Sequence, residues 1–211
     1  GSVTNMSYMF YTAYAFNQSI ANWNTGSVTD MSYMFYIASA FNQSIANWNT
    51  GSVTDMSYMF SSNSAFNQDI GNWNVSSVTT MSAMFYRASI FNQDIRYWDV
   101  SIDTSLNNMF QGATAMLNEY PNPPFTTMAA TPSYEFFNKT RITDANFQTA
   151  CTAWVDNSVN ADISYGPINY WNTSNVTNMR SMFFNADNFS RRPKIDRLTI
   201  KLRLTRIKSE A

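Results

Sequence analysis

The ten residues GSVTDMSYMF at 26–35 recur letter for letter at 51–60, and GSVTNMSYMF opens the chain. The period is 25 residues, with Gly1, Gly26, Gly51, Ser76 and Ser101 following one another without an insertion. Block 1–25 differs from 26–50 only where Asn5, Thr12 and Tyr14 become Asp30, Ile37 and Ser39. Blocks 51–75 and 76–100 diverge further but keep the frame. The block from Ser101 keeps Met109 and Phe110, then drifts into YPNPP. A last copy, WNTSNVTNMRSMFFNADNF, stands at 171–189. No other feature narrows the fold as much, because a fixed period of this length means one small unit stacked on copies of itself.

Numbered from its Gly or Ser, the repeat keeps a lattice of large apolar side chains. Position 3 holds Val3, Val28, Val53, Val78 and Val176. Positions 6, 9 and 10 hold Met6, Met9 and Phe10, then Met31, Met34 and Phe35, then Met56, Met59 and Phe60, then Met81, Met84 and Phe85. The degenerate copy has Leu106, Met109 and Phe110, and the last copy Met179, Met182 and Phe183. Phe16, Phe41, Phe66 and Phe91 follow, with Ile20, Ile45, Ile70 and Ile95 and then Trp23, Trp48, Trp73 and Trp98. Eleven of the 13 Met and five of the six Trp lie on this lattice, so their expected role is the core. Stacking places like on like, and each copy completes its neighbour's interior.

The spacing of Val, Met, Met-Phe and Ala at positions 3, 6, 9–10 and 13 fits one face of a short helix. Thr4 and its equivalents, followed by Asp30 or Asp55, suit the start of such a helix. The second half, AFNQSIANWNT, alternates Phe, Ile and Trp with polar residues and reads as a short extended segment. NTGS at the junction is turn chemistry, with Gly tolerating positive φ and Asn bonding its own backbone. These readings give an α/β repeat solenoid in which each 25-residue unit is a short helix, a short parallel strand and a turn. The Asn at positions 17, 42, 67 and 92 suggest an internal asparagine ladder bonding backbone groups.

The string W-N-T-x-S-V-T-D-M-S-x-M-F-x-x-A-x-x-F-N-Q-D-I, matched by Trp48–Ile70 except for Asn63 in the Ala place, resembles the repeat of BspA-like leucine-rich-repeat surface proteins, in the form found in mycoplasma-type surface lipoproteins. The resemblance covers about 1–118 and 163–189. It implies a right-handed, leucine-rich-repeat-like stack with a narrow parallel sheet, a secreted or surface-anchored protein, and a role in adhesion or partner binding. Array 1–100 departs from the family name by containing no Leu, with Met, Phe, Ile and Trp in those places.

The organisation expected is a first array over 1–120, a linker and helix over 121–165, the start of a second array over 166–190, and a basic tail over 191–211. PNPPFTTMAATPSYEFF carries turn signals. ITDANFQTACTAWVDNS places Phe147, Ala150, Cys151 and Trp154 at helical spacing, with Thr143 or Asp144 available as cap. The resemblance suggests that this helix covers the start of the second array; a plain spacer is the alternative. Ile168 and Trp171 then restore the frame. The tail holds eight of the 13 Lys and Arg, with Leu198, Ile200, Leu202 and Leu204 alternating as in an edge strand. It reads as an out-of-frame or truncated end, or as a functional basic segment.

The chain has no His, which removes the commonest general base and metal ligand, and its one cysteine, Cys151, sits on the apolar face of the expected helix. Carboxylates are dispersed at repeat positions rather than gathered, so no catalytic residue, cofactor or metal site is assigned. Asp30 and Asp55, with Asp69 and Asp94, would form short ladders able to take Ca²⁺, but residues such as Asn5 and Ser19 interrupt that pattern, and turn roles are preferred. No apolar run is long enough to span a membrane, no signal peptide precedes the repeat, and the start at Gly1 within the pattern fits a monomeric fragment of a longer chain. No nucleic-acid partner is expected.

The function expected is a non-enzymatic, extracellular or cell-surface binding module for a protein or glycan. Its candidate ligand-facing positions are Gln18, Ser19, Asn22 and Asn24, then Gln43, Ser44, Asn47 and Asn49, then Gln68, Asp69, Asn72 and Asn74, and finally Gln93 and Asp94. The alternative is a spacer or scaffold array, or a binder of a regular lattice such as ice through Thr4, Thr29, Thr54 and Thr79, whose single-column width counts against ice.

Overall fold

The computed structural model describes residues 2–119, 130–156, 158–165 and 176–177. The chain divides into two compact units, Gly1–Asn138 and Lys139–Ala211. The boundary falls inside the segment that the sequence groups as linker and helix.

In the first unit, successive copies are joined rung by rung. The amides at positions 6, 8, 10 and 12 donate to the carbonyls at positions 5, 7, 9 and 11 of the next copy: Met6 to Asp30 (2.9 Å), Tyr8 to Ser32 (3.1 Å), Phe10 to Met34 (2.9 Å) and Thr12 to Tyr36 (2.7 Å). The same four rungs join 31–37 to 55–61, 56–62 to 80–86, and 81–87 to 105–111. Running the other way, Thr29 donates to Thr4, Thr54 to Thr29 and Thr79 to Thr54. Parallel bridges link Asn5, Asp30, Asp55, Thr80 and Ser105 in sequence.

These rungs account for the first departure from the sequence reading. No helix precedes Thr114 among the described residues, and positions 7–12 are successive turns. The amides at positions 9, 11 and 13 bond the carbonyl three residues back, as Met9 does to Met6, Tyr11 to Tyr8 and Ala13 to Phe10. Alternate amides are thus committed to the next copy, and an i to i−4 helix cannot also be satisfied. Positions 8 and 12 carry positive φ in every copy, from Tyr8 (59°) and Thr12 (56°) to Asn108 (55°) and Gly112 (78°). That is the left-handed third residue of a type II turn. A three-residue spacing of Met6 and Met9 is common to both geometries, which is why periodicity alone suggested a helix.

Two smaller differences follow. The parallel pairing lies at position 5 rather than in the second half of the repeat, which is joined mainly by side chains. Positive φ in the turns falls on residues such as Tyr33 and Ile37, and not on Gly26 or Gly51. At the junction, Val28 bonds the Thr25 carbonyl and the Asn24 carboxamide takes the Gly26 amide. A Ser meets these demands equally well, as Ser76 does on Asn74.

The core is a set of columns. Phe10, Phe35, Phe60, Phe85 and Phe110 stack at 5.4–5.9 Å between centroids. Trp48, Trp73 and Trp98 stack at 6.4 and 6.5 Å, nearly parallel. Each indole N–H donates to the Ile carbonyl of the copy before: Trp48 to Ile20, Trp73 to Ile45 and Trp98 to Ile70. Met31, Met34, Phe35, Met56, Met59, Phe60, Met81, Met84 and Phe85 are fully buried, and Met6 is nearly so. Met9 and Trp23 are 44% and 38% exposed, because the face of the first copy that would meet a preceding one is uncovered.

The opposite end of this array is covered by α1 (Thr114–Glu119) and by residues 130–138, which imitate a further copy. Phe110 donates to the Ala130 carbonyl and Asn108 to the Thr131 hydroxyl, where a next copy's carbonyls would stand. Phe137 stacks on Trp98 at 6.4 Å, continuing the Trp column. The Asn138 carboxamide brackets Val100 with one donor and one acceptor.

In the second unit, α2 (Phe147–Asp156) buries Phe147, Ala150, Cys151 and Trp154, the face marked by the helical spacing, and packs against α3 (Ser158–Tyr165). Thr143 and Asn146 hold the turn before α2: the Thr143 carbonyl takes the Phe147 amide, and the Asn146 carboxamide takes the Thr143 amide. The segment 121–129, Ile168 and Trp171, the copy at 171–189 apart from Val176 and Thr177, and the tail 191–211 lie outside the described residues.

Candidate functional site

The ligand-facing positions read from the sequence separate into three environments. Gln43, Gln68 and Gln93 are half-buried and donate to the Asn17, Asn42 and Asn67 carboxamides at 2.9–3.0 Å. Those carboxamides also take the Asn42, Asn67 and Asn92 amides, so the asparagine ladder and its glutamines hold the copies together. Asp94 is bound to the nearly buried Arg96 through a two-point fork of 2.9 Å contacts. Exposed to solvent are Gln18, Ser19, Ser44 and Asp69, with Asn22, Asn47, Asn72, Asn24, Asn49 and Asn74. The last three turn their carboxamide oxygens back onto their own chain.

The structure therefore leaves a polar face of Asn at positions 22 and 24, joined by the exposed Thr4, Thr29, Thr54 and Thr79. Each Thr hydroxyl after the first donates to the Thr carbonyl one copy earlier, at 3.1–3.2 Å. The hydroxyl protons are thus used between copies, which gives the Thr column a structural role.

A second face was missed in the sequence. Tyr8, Tyr33 and Tyr58 stack at 4.8 and 4.6 Å with interplanar angles of 7° and 6°. Tyr11 and Tyr36 stack beside them at 4.9 Å, and tilted contacts between the two columns interlock the rings. Tyr8 and Tyr11 are 53% and 43% exposed, and Tyr33, Tyr36 and Tyr58 are half-buried. Burial raises the Tyr33 phenol above its ordinary value, aided by Tyr58, Tyr8, Tyr36 and the Asp55 carboxylate, so it stays a neutral donor. The signal was present: Tyr recurs at positions 8 and 11 without belonging to the Met and Phe lattice. An apolar side chain that repeats in step with the core, yet off it, marks an outer column.

The carboxylates serve the turns. Oδ1 of Asp30 takes both the amide and the hydroxyl of Ser32, at 2.8 and 2.7 Å, and Asp55 does the same with Ser57. Among the described residues no three His, Cys, Asp or Glu side chains gather as metal ligands. Cys151 is buried, and burial pushes its thiol up to about 12, which leaves the thiolate scarce at neutral pH.

Bonded copies of one short unit, with repeated outer faces and an aromatic interior, define a repeat protein. The chain belongs to the family described as Mycoplasma protein of unknown function, DUF285, whose model matches residues 4–122 and 147–198. No curated protein and no solved structure matches it. No helix among the described residues is long and apolar enough to cross a membrane.

Proposed function

We propose that the chain is part of a leucine-rich-repeat-like solenoid of the BspA type, acting without catalysis as an extracellular or cell-surface adhesion module. The observation that carries this reading is the interlocked tyrosine face. Tyr supplies large contact area with few rotatable bonds, and rings already held by stacking lose little further freedom on binding. A contiguous exposed aromatic patch rimmed by polar groups is the surface character of an interaction site. The neutral Asn columns at positions 22 and 24 supply hydrogen-bonding groups suited to a protein backbone or a glycan.

The test is a binding screen of the full chain against glycans and extracellular-matrix proteins, alongside the double variant Tyr33→Asn, Tyr36→Ser. Asn108 and Ser61 stand at those two repeat positions in other copies, so the backbone tolerates both changes. Saturable binding, weakened at least tenfold in a variant that melts like the parent, is the expected result. A folded parent that binds nothing, or a variant that binds equally well, would turn the reading toward a spacer array.

A further inference from the structure

In the first unit, Thr29, Thr54 and Thr79 at repeat position 4 each give two protons to the copy before. The Thr29 amide and hydroxyl both reach the Thr4 carbonyl, at 2.8 and 3.2 Å. Thr54 and Thr79 repeat the pair of contacts on Thr29 and Thr54. Thr177 holds position 4 of the copy at 171–189. Within the second unit its two donors go instead to one carboxylate: the amide to Oδ1 of Asp144 at 2.7 Å, and the hydroxyl to Oδ2 of Asp144.

We propose that Asp144 is the starting cap of a second repeat stack, its carboxylate standing where a preceding repeat's carbonyl would stand. A carboxylate suits this task better than a neutral side chain. Its two oxygens accept both donors at once, and a charged acceptor strengthens each bond. Thr143, Asn146 and α2 fix the turn that presents it. The arrangement mirrors the closing of the first array, where Ala130 and Thr131 supply the acceptors that a following copy would have given. One short stretch of chain thus holds a stop signal and then a start signal, and residues 139–165 form a cap rather than a spacer.

Amide hydrogen exchange on the full chain tests this. Asp144→Ala is expected to speed exchange at Thr177 about tenfold or more, while Thr54 in the first array keeps its protection. Thr177→Val, which retains the amide but loses the hydroxyl, is expected to give a smaller increase. Unchanged exchange at Thr177 in a folded Asp144→Ala chain would overturn the proposal. Labelling of Cys151 by a thiol reagent reports whether that variant has unfolded. If it has, Asp144→Asn decides: it keeps one acceptor and loses the charge, and exchange at Thr177 equal to the parent's would refute the capping role.

Discussion

Ala83 adopts φ of 53°, as do the other position-8 residues within a few degrees, and an L side chain there is strained. Ala83→Gly is expected to raise stability by about 0.5–1 kcal/mol, the relief of strain exceeding the added freedom of the unfolded chain. Gly112→Ala should act in reverse, lowering stability by about 1 kcal/mol or more, since its φ is 78° and a new Cβ would lie 3.0 Å from Cγ of Arg87. Urea titrations of the two variants check both signs. Gly71 is constrained by space rather than by φ: a Cβ would sit 2.7 Å from the Asp94 backbone carbonyl. Gly71→Ala is therefore expected to cost about 1–3 kcal/mol by overpacking, and an unchanged unfolding midpoint would contradict that. None of these constraints was legible beforehand. Ala21 and Ala46 occupy the Gly71 position in earlier copies, and Tyr, Ile and Arg occupy left-handed positions where Gly or Asn would have signalled a turn.

The asparagine ladder shows what a repeated polar residue contributes as an element. The Asn67 carboxamide takes the Asn92 amide at 3.1 Å and the Gln93 side chain at 2.9 Å, and donates to Asn92 at 3.0 Å. Asn67→Ala strands these partly buried groups and should cost about 1–3 kcal/mol in chemical denaturation. Cys151 gives α2 a pH signature. Its folded pKa lies above the unfolded one, so between roughly pH 9 and 12 the folded state holds a proton that the unfolded state releases. Stability from this group is complete below that window and declines as pH rises through it, by at most about 1.4 kcal/mol per pH unit. Cys151→Ala should flatten that decline in a comparison of midpoints at pH 8 and pH 10. Both features were legible, the ladder from Asn at position 17 of each of the first four copies and the helix face from Phe147, Cys151 and Trp154. The turn column was not, because its inward Met and Phe follow a spacing shared with a helix. The tyrosine columns went unread for a different reason: strict core periodicity drew every large side chain inward, although Tyr8 and Tyr11 fall between the core positions.

At the scale of the whole first unit, the bonding is almost entirely between neighbours, and this sets what can be removed. Each rung joins position n to position n − 1 of the next copy. Deleting 51–75 would bring 76–100 against 26–50 with the backbone rungs and core columns kept in register. Met31 would find the Thr80 carbonyl, Phe35 would meet Phe85, Trp48 would meet Trp98, and Asn42 would meet Asn92. One interface would be lost, along with the stacking of Tyr33 on Tyr58, which Ala83 cannot replace. Such a chain is expected to unfold cooperatively, with a lower midpoint and a denaturant slope reduced in step with the smaller surface exposed. Deleting 51–63 instead removes half a period, sets turns against the asparagine half of the next copy, and takes the Trp73 indole out of register with its Ile45 acceptor. That chain should show no cooperative transition. Circular dichroism during urea unfolding separates the two. If both deletions behaved alike, stability would reside in long-range packing rather than in neighbour contacts, and the solenoid reading would fail with it.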